Sequence, residues 1–161
     1  MPSLRYRLFI AILLLPTVLL ADSQRAITQI LQQNEPPVGI VFEIVTADSE
    51  GLNWALPLTR SYIEQLRKQF PALPLAVVTH GQEQFALQNG KRDEQPALHR
   101  QVRSLTGGNI PVYVCGTYAG WRSLSDEDFP DYVNVAAAGP AQINDYVSLG
   151  YTRILIRQRP H

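Results

Sequence analysis

Five short apolar runs, separated by segments with helical spacing, set the limits on what this chain can fold into. They are Val38–Val45 (VGIVFEIV), Leu75–Thr79 (LAVVT), Val112–Val114 within the stretch NIPVYVCGTYAGW, Tyr132–Ala138 (YVNVAAA) and Tyr151–Ile156 (YTRILI), all rich in β-branched or aromatic residues. The first two are nearly continuous in apolar residues, as strands covered on both faces should be. Between them, Trp54–Phe70 places Leu58, Tyr62, Ile63, Leu66 and Phe70 on one helical face. Gln82–Leu87 begins a further helical segment, and Asn89-Gly90 is a turn signal. Ala97–Leu105 repeats the helical spacing through Leu98, Val102 and Leu105, with Gly107 or Gly108 as a left-handed cap. Ser123–Asp131 is an acidic loop or short helix. Gly139-Pro140 turns the chain into a last helix, Ala141–Leu149, capped by Gly150. Strand and helix thus alternate five times, which predicts a three-layer α/β/α domain around a mostly parallel five-stranded sheet. Strand order is not encoded in the spacing.

At 161 residues the chain is one domain with room for a real core. Fourteen basic and fourteen acidic residues cancel, so no general pull toward nucleic acid or acidic lipid is expected. Arg5 and Arg7 precede an uncharged apolar run of 13 residues, Leu8–Leu20, interrupted by Pro16. A membrane span needs roughly 20 residues, so residues 1–21 read as a secretory signal. Leu19 spoils the small-residue pattern before a cut after Ala21, and an uncleaved anchor is the alternative. Residues 22–37 follow as an amphipathic helix and linker, with Ile27, Ile30 and Leu31 on one face and Asn34-Glu35-Pro36-Pro37 ending it. Residues 38–161 form the domain. The expected location is a bacterial periplasm.

Absent motifs remove the usual chemistries of such a fold. TADSEGLN after the first strand is not a dinucleotide fingerprint, and no Walker loop, nucleophile elbow or H-E-x-x-H helix occurs. No cofactor and no metal is expected, and Asp126, Glu127 and Asp128 read as a solvated acidic turn. Cys115 is the single cysteine, so there is no internal disulfide and no thiolate zinc site. It sits where a strand gives way to a loop, the edge where parallel sheets collect ligands. Packing as a small hydrophobe is one reading. Reactivity is the other, because an unpaired thiol in an exported chain is worth flagging and a helix starting near Ala119 would favour anionic sulfur. His80 closes the second strand on the same edge and could take the thiol proton, or simply cap its strand. His99, beside Arg100 and Arg103, reads as a solvated helix face. Tyr118, Trp121 and Arg122 could wall a pocket or bind an anion such as a sulfur oxyanion, or could pack beneath a loop.

The segments VVTHGQEQFAL (77–87), LTGGNIPVYVCGTYAG (105–120) and VNVAAAGPAQINDYVSLGYTRILI (133–156) resemble the DsrE/DsrF-like family. The shared pattern runs from a strand ending in His-Gly to a strand ending in Cys, then a small-residue strand and a helix leading to Gly-Tyr. The resemblance spans Val38 to Ile156 and implies compact α/β/α subunits assembled as trimers or hexamers. The family's best-known members pass sulfur between partner proteins on a cysteine persulfide. That role falls on Cys115. His80 matches the His-Gly, with no role to transfer.

The expectation is therefore an exported sulfur-handling homo-oligomer in which Cys115 takes sulfane sulfur from a donor protein or molecule and passes it on. His80 serves as base, and Gly116 and Thr117 offer backbone and hydroxyl groups to the sulfur. Two alternatives stand beside it: a non-catalytic binding module with a structural Cys115, and a redox sensor that forms a disulfide between subunits. For location, the secreted protein should give an N-terminal sequence beginning near Asp22. An intact Met1 on a cytoplasmic protein would refute export.

Overall fold

Strands form where the apolar runs are least interrupted, and they are shorter than the runs themselves. The computed structural model describes residues 22–157, so the apolar run Leu8–Leu20 lies outside the described residues. Strand β1 is Ile40–Ile44, with Val38 and Val45 left exposed beyond its ends. Strands β2 (Leu75–Thr79), β3 (Val112–Cys115), β4 (Asn134–Ala136) and β5 (Thr152–Ile156) follow. Helices α1 (Asp22–Leu31), α2 (Leu52–Gln69), α3 (Pro96–Gly107), α4 (Gly116–Gly120) and α5 (Gly139–Ser148) connect or precede them.

All five strands are parallel, in the order β4-β3-β2-β1-β5. From β1 to β4 the chain steps steadily in one direction, and right-handed crossovers put those connections on one face. The return from β4 to β5 crosses the sheet on the other face as α5, which packs over β1, β2 and β3 on its way. This is the expected α/β/α sandwich with a fully parallel sheet, and its two outer layers are unequal.

The pleat divides the core accordingly. Ile40, Phe42 and Ile44 of β1 join Val77, Val112, Val114 and Ile154 in a large cluster with the inner faces of α2 and α3. Ile27 and Ile30 of α1 belong to the same cluster, so that helix is docked on the core against α2 and β5. On the α5 face the cluster is small: Val41, Ala76, Val78 and Ile143, flanked by Tyr113, Tyr146 and Tyr151. Among the described residues, no helix is long and apolar enough to cross a membrane.

Several local expectations are corrected. Helix α4 starts at Gly116, directly after Cys115, rather than near Ala119. Helix α5 starts at Gly139, because Pro140 fits the first turn of a helix, where its missing N–H costs nothing. The edge strand β4 keeps only three residues, since only β3 pairs with it. Gln82–Leu87 is a six-residue 3₁₀ turn. The left-handed residue after α3 is Asn109, with φ 58°, whereas Gly108 has φ −94°.

His99 is also corrected: it is buried in α3 rather than on a solvated face. Its Nε2–H donates to the Ala86 carbonyl at 3.1 Å, which leaves Nδ1 to accept from the Tyr132 hydroxyl at 2.6 Å. Burial, aided by the nearby Arg92, holds its pKa below the ordinary 6.5, although the Ala86 bond opposes this. Below pH 6.5 the unfolded chain therefore takes up a proton that folded His99 refuses, and stability falls with acidification. His99→Gln should flatten that acid dependence while costing about 1–3 kcal/mol at pH 8 through the lost hydrogen bonds. Urea midpoints of both proteins from pH 8 to pH 5 check this.

Candidate functional site

Because β3 leads into α4 on the first face and β4 into α5 on the second, the chain leaves these neighbouring strands in opposite directions. Ala119 of α4 packs in the large cluster, whereas Ile143 of α5 packs in the small one. A crevice opens where connections diverge in this way, at the carboxyl ends of the strands. Here it is a cleft of about 650 Å³, and Cys115, His80, Thr117, Tyr118 and Trp121 all line it.

The pleat puts Cys115 and His80 on the α5 side. Cys115 follows Tyr113 on that face, and His80 follows Ala76 and Val78. The amino end of α5 covers both. An ideal Cβ placed on Gly139 would stand 2.5 Å from the His80 Cβ and 3.3 Å from the Cys115 Cβ. Only glycine lets the helix come this close. Cys115 itself is 5% exposed, at the foot of the cleft.

Its backbone is fixed by a side chain. The β2–β3 pairing ends at Thr79 and Val114, one residue short of Cys115. The buried Gln84 amide continues the ladder, its Oε1 accepting from the Cys115 N–H at 2.7 Å and its Nε2 donating to the Cys115 carbonyl at 3.3 Å. Next to it Glu83, fully buried, ties the ends of β1 and β2 together. One carboxylate oxygen accepts from the Thr79 hydroxyl at 2.5 Å and the Gly81 N–H at 2.8 Å, the other from the Thr46 N–H at 2.8 Å.

His80 is held from behind. Glu43 projects from β1 on the α5 face, 4% exposed, and its Oε1 lies 2.8 Å from His80 Nε2. Its other oxygen accepts from Arg153 Nε on β5. Burial opposes ionisation of Glu43, but the His80 and Arg153 contacts outweigh it and hold the carboxyl below its usual range. An ionised Glu43 can only accept, so His80 presents Nε2–H to it. Nδ1 is left without a hydrogen-bond partner among the described residues, free to take a proton.

Three sequence-predicted residues stand differently from expectation. Thr117 lines the cleft, but its N–H and hydroxyl both already donate to the Ala137 carbonyl, at 3.0 and 2.7 Å. Gly116 does not line the cleft and packs against the Ala136 carbonyl, where a Cβ would come to 2.9 Å. Arg122 lies outside, its guanidinium over the Phe85 ring at 4.3 Å and bonded to Gln82 Oε1 at 2.5 Å. Trp121, 78% exposed, stands edge-on to Tyr118 at 5.7 Å. In the acidic turn, Asp128 caps the Ser125 N–H at 2.7 Å. Among the described residues no three potential ligands gather to hold a metal ion.

Sequence reasoning missed Glu43, Arg153, Glu83 and Gln84. The signal for the first two was a charge inside an apolar strand run, which needs a partner if the strand is buried on both faces.

Two solved structures share this fold. The protein of unknown function MTH1491 from Methanobacterium thermoautotrophicum is 21% identical, matching 72% of this chain and 96% of its own at a TM-score of 0.60. The YchN protein from E. coli is 21% identical, matching 73% of this chain and 97% of its own at a TM-score of 0.53. Both have the DsrE-like fold that the sequence resemblance implied. No family model matches the sequence, and no curated protein matches it.

Glu83→Gln would turn an NH₂ toward groups that are themselves donors. It should cost about 2–4 kcal/mol, against no measurable change for the exposed Glu64→Gln. Denaturant titration of the two variants measures the difference.

Proposed function

We propose that this protein carries sulfane sulfur on Cys115, outside the cytoplasm. The observation that carries the reading is the placement of Cys115 at the foot of a cleft beside a histidine whose far nitrogen is engaged by a buried carboxylate. His80 accepts the thiol proton at Nδ1 and, with Glu43 behind it, keeps the resulting charge local. The Cys115 thiolate then attacks the outer sulfur of a donor, forming a sulfur–sulfur bond as the donor's own breaks, and the donor leaves as a thiolate. The amino end of the ten-residue helix α5 stands over the bound sulfur, where its N–H groups favour negative charge. An acceptor thiol reverses the process.

The basic residues and apolar run within residues 1–21 support a periplasmic location for this chemistry. There the reducing thiol pools of the cytoplasm are absent, and sulfur loading shields the thiol from other oxidation. The working form is a homo-oligomer, trimer or hexamer. Exposed Val147 and Leu149 at the end of α5, together with Val38 beside Gly150, support contacts between subunits. A disulfide between subunits is a poorer reading, because it needs two Cβ atoms about 4 Å apart and Cys115 lies at the foot of a cleft.

Incubation of the reduced protein with inorganic polysulfide, followed by intact mass, tests the proposal. The wild type should gain sulfur and Cys115→Ser none. His80→Ala should load about 100-fold more slowly, and Glu43→Gln should fall between His80→Ala and wild type. A Cys115 thiol that stays unmodified under native conditions overturns the reading.

A further inference from the structure

The walls of the cleft narrow the chemistry of the donor. Val45, Ala47, Ala138 and Pro140 line it together with the rings of Tyr118 and Trp121. Among the described residues its ionisable side chains are His80, Cys115 and Tyr118, and no lysine, arginine or carboxylate lines it. Arg122 and Arg153 are committed elsewhere, Arg122 to Gln82 and the Phe85 ring, Arg153 to Glu43. The first turn of α5 offers little to a multiply charged ligand, since Pro140 removes one of its donors. A dianion such as thiosulfate entering this cleft would shed water and meet only the single charge His80 takes up, already set against the Cys115 thiolate. A neutral group with an apolar body would gain from the same walls. About 650 Å³ is ample for a ring or short hydrocarbon beside the reacting sulfur atoms.

We propose that the sulfur donor of this site is a small organic persulfide, bound in its protonated form R–S–SH and carrying no other charge, whose apolar or aromatic R group lies along the cleft against Tyr118 and Trp121. The inference rests on the reading of Cys115 as a sulfur acceptor. The Cys115 proton passes to His80, and the thiolate attacks the terminal sulfur of R–S–SH. The bond from Cys115 Sγ to that sulfur forms as the R–S–S bond breaks. R–S⁻ leaves and takes the proton back from His80, so the products are the Cys115 persulfide and R–SH. No oxidant or reductant is consumed, because the sulfane sulfur only changes carrier.

The test compares donors on the full mature protein, reduced beforehand, with sulfur gain at Cys115 followed by intact mass. Benzyl persulfide, generated in the assay, is set against glutathione persulfide and thiosulfate. Each rate is divided by that of free 2-mercaptoethanol with the same donor, which removes intrinsic reactivity. Benzyl persulfide should be preferred over glutathione persulfide and thiosulfate by about tenfold or more, the scale set by burying one ring. Trp121→Ala, at an exposed position that leaves the fold intact, should shrink that preference several-fold. Equal normalised rates for the three donors, or a preference for thiosulfate, overturn the inference and leave sulfur carriage standing. A preference untouched by Trp121→Ala overturns the assigned position of the R group. Failure of every donor to load Cys115 overturns the reading beneath it as well.

Discussion

A carboxylate in the middle of a parallel sheet must be met from its flanks or it cannot remain charged, and Glu43 is met from both. It lies on β1 with Arg153 of β5 on one side and His80, at the end of β2, on the other. Removing either partner leaves a buried carboxylate with one hydrogen-bonding side chain instead of two. Three strands are therefore locked at one height by a single side chain. Because Arg153 and His80 both donate to it, the imidazole has one tautomer and one orientation, with its second nitrogen unclaimed. The reactive edge inherits its order from that contact.

Around this contact the chain has replaced ladder hydrogen bonds with side chains where the ladder runs out. Gln84 pairs with the backbone of Cys115 as a neighbouring strand would, and Glu83 gathers the ends of β1 and β2. Both are fully buried and both come from one 3₁₀ turn, so the turn behaves as an added half-strand. Gly139 completes the arrangement by letting α5 rest on His80 and Cys115. The outcome is a thiol whose backbone cannot drift, beneath a helix terminus and facing an apolar cleft. Preorganisation of this kind is what nucleophilic chemistry at sulfur requires.

The strand-by-strand pattern was legible because the central strands β1, β2 and β3 are buried nearly along their whole length and are therefore mostly apolar. The edge strand β4 was the least well bounded, since Tyr132 and Val133 are apolar for reasons of their own. Tyr132 carries the hydroxyl that His99 needs, and Val133 packs in the large core. His99 was misjudged because its neighbours Arg100 and Arg103 suggested a wet face. One residue on a helix turns the side chain by about 100°, enough to bury it. That Cys115 and His80 come to one edge was foreseeable from their places at strand ends. The support behind them was not, because Glu83, Gln84 and Arg153 each look like ordinary polar residues until the strands are set side by side.

Composition and periodicity alone determined the layered α/β class, the single thiol and the edge on which it stands. These follow from short-range constraints, namely what a doubly covered strand tolerates and where a strand must stop. Tertiary structure alone decided that β1 lies between β2 and β5, and hence that Glu43 can reach both His80 and Arg153. It also sent the chain from β3 and β4 to opposite faces, which opens the cleft, and turned Arg122 out of it. Strand order joins residues as far apart as 43 and 153, and no local pattern encodes a contact across 110 positions.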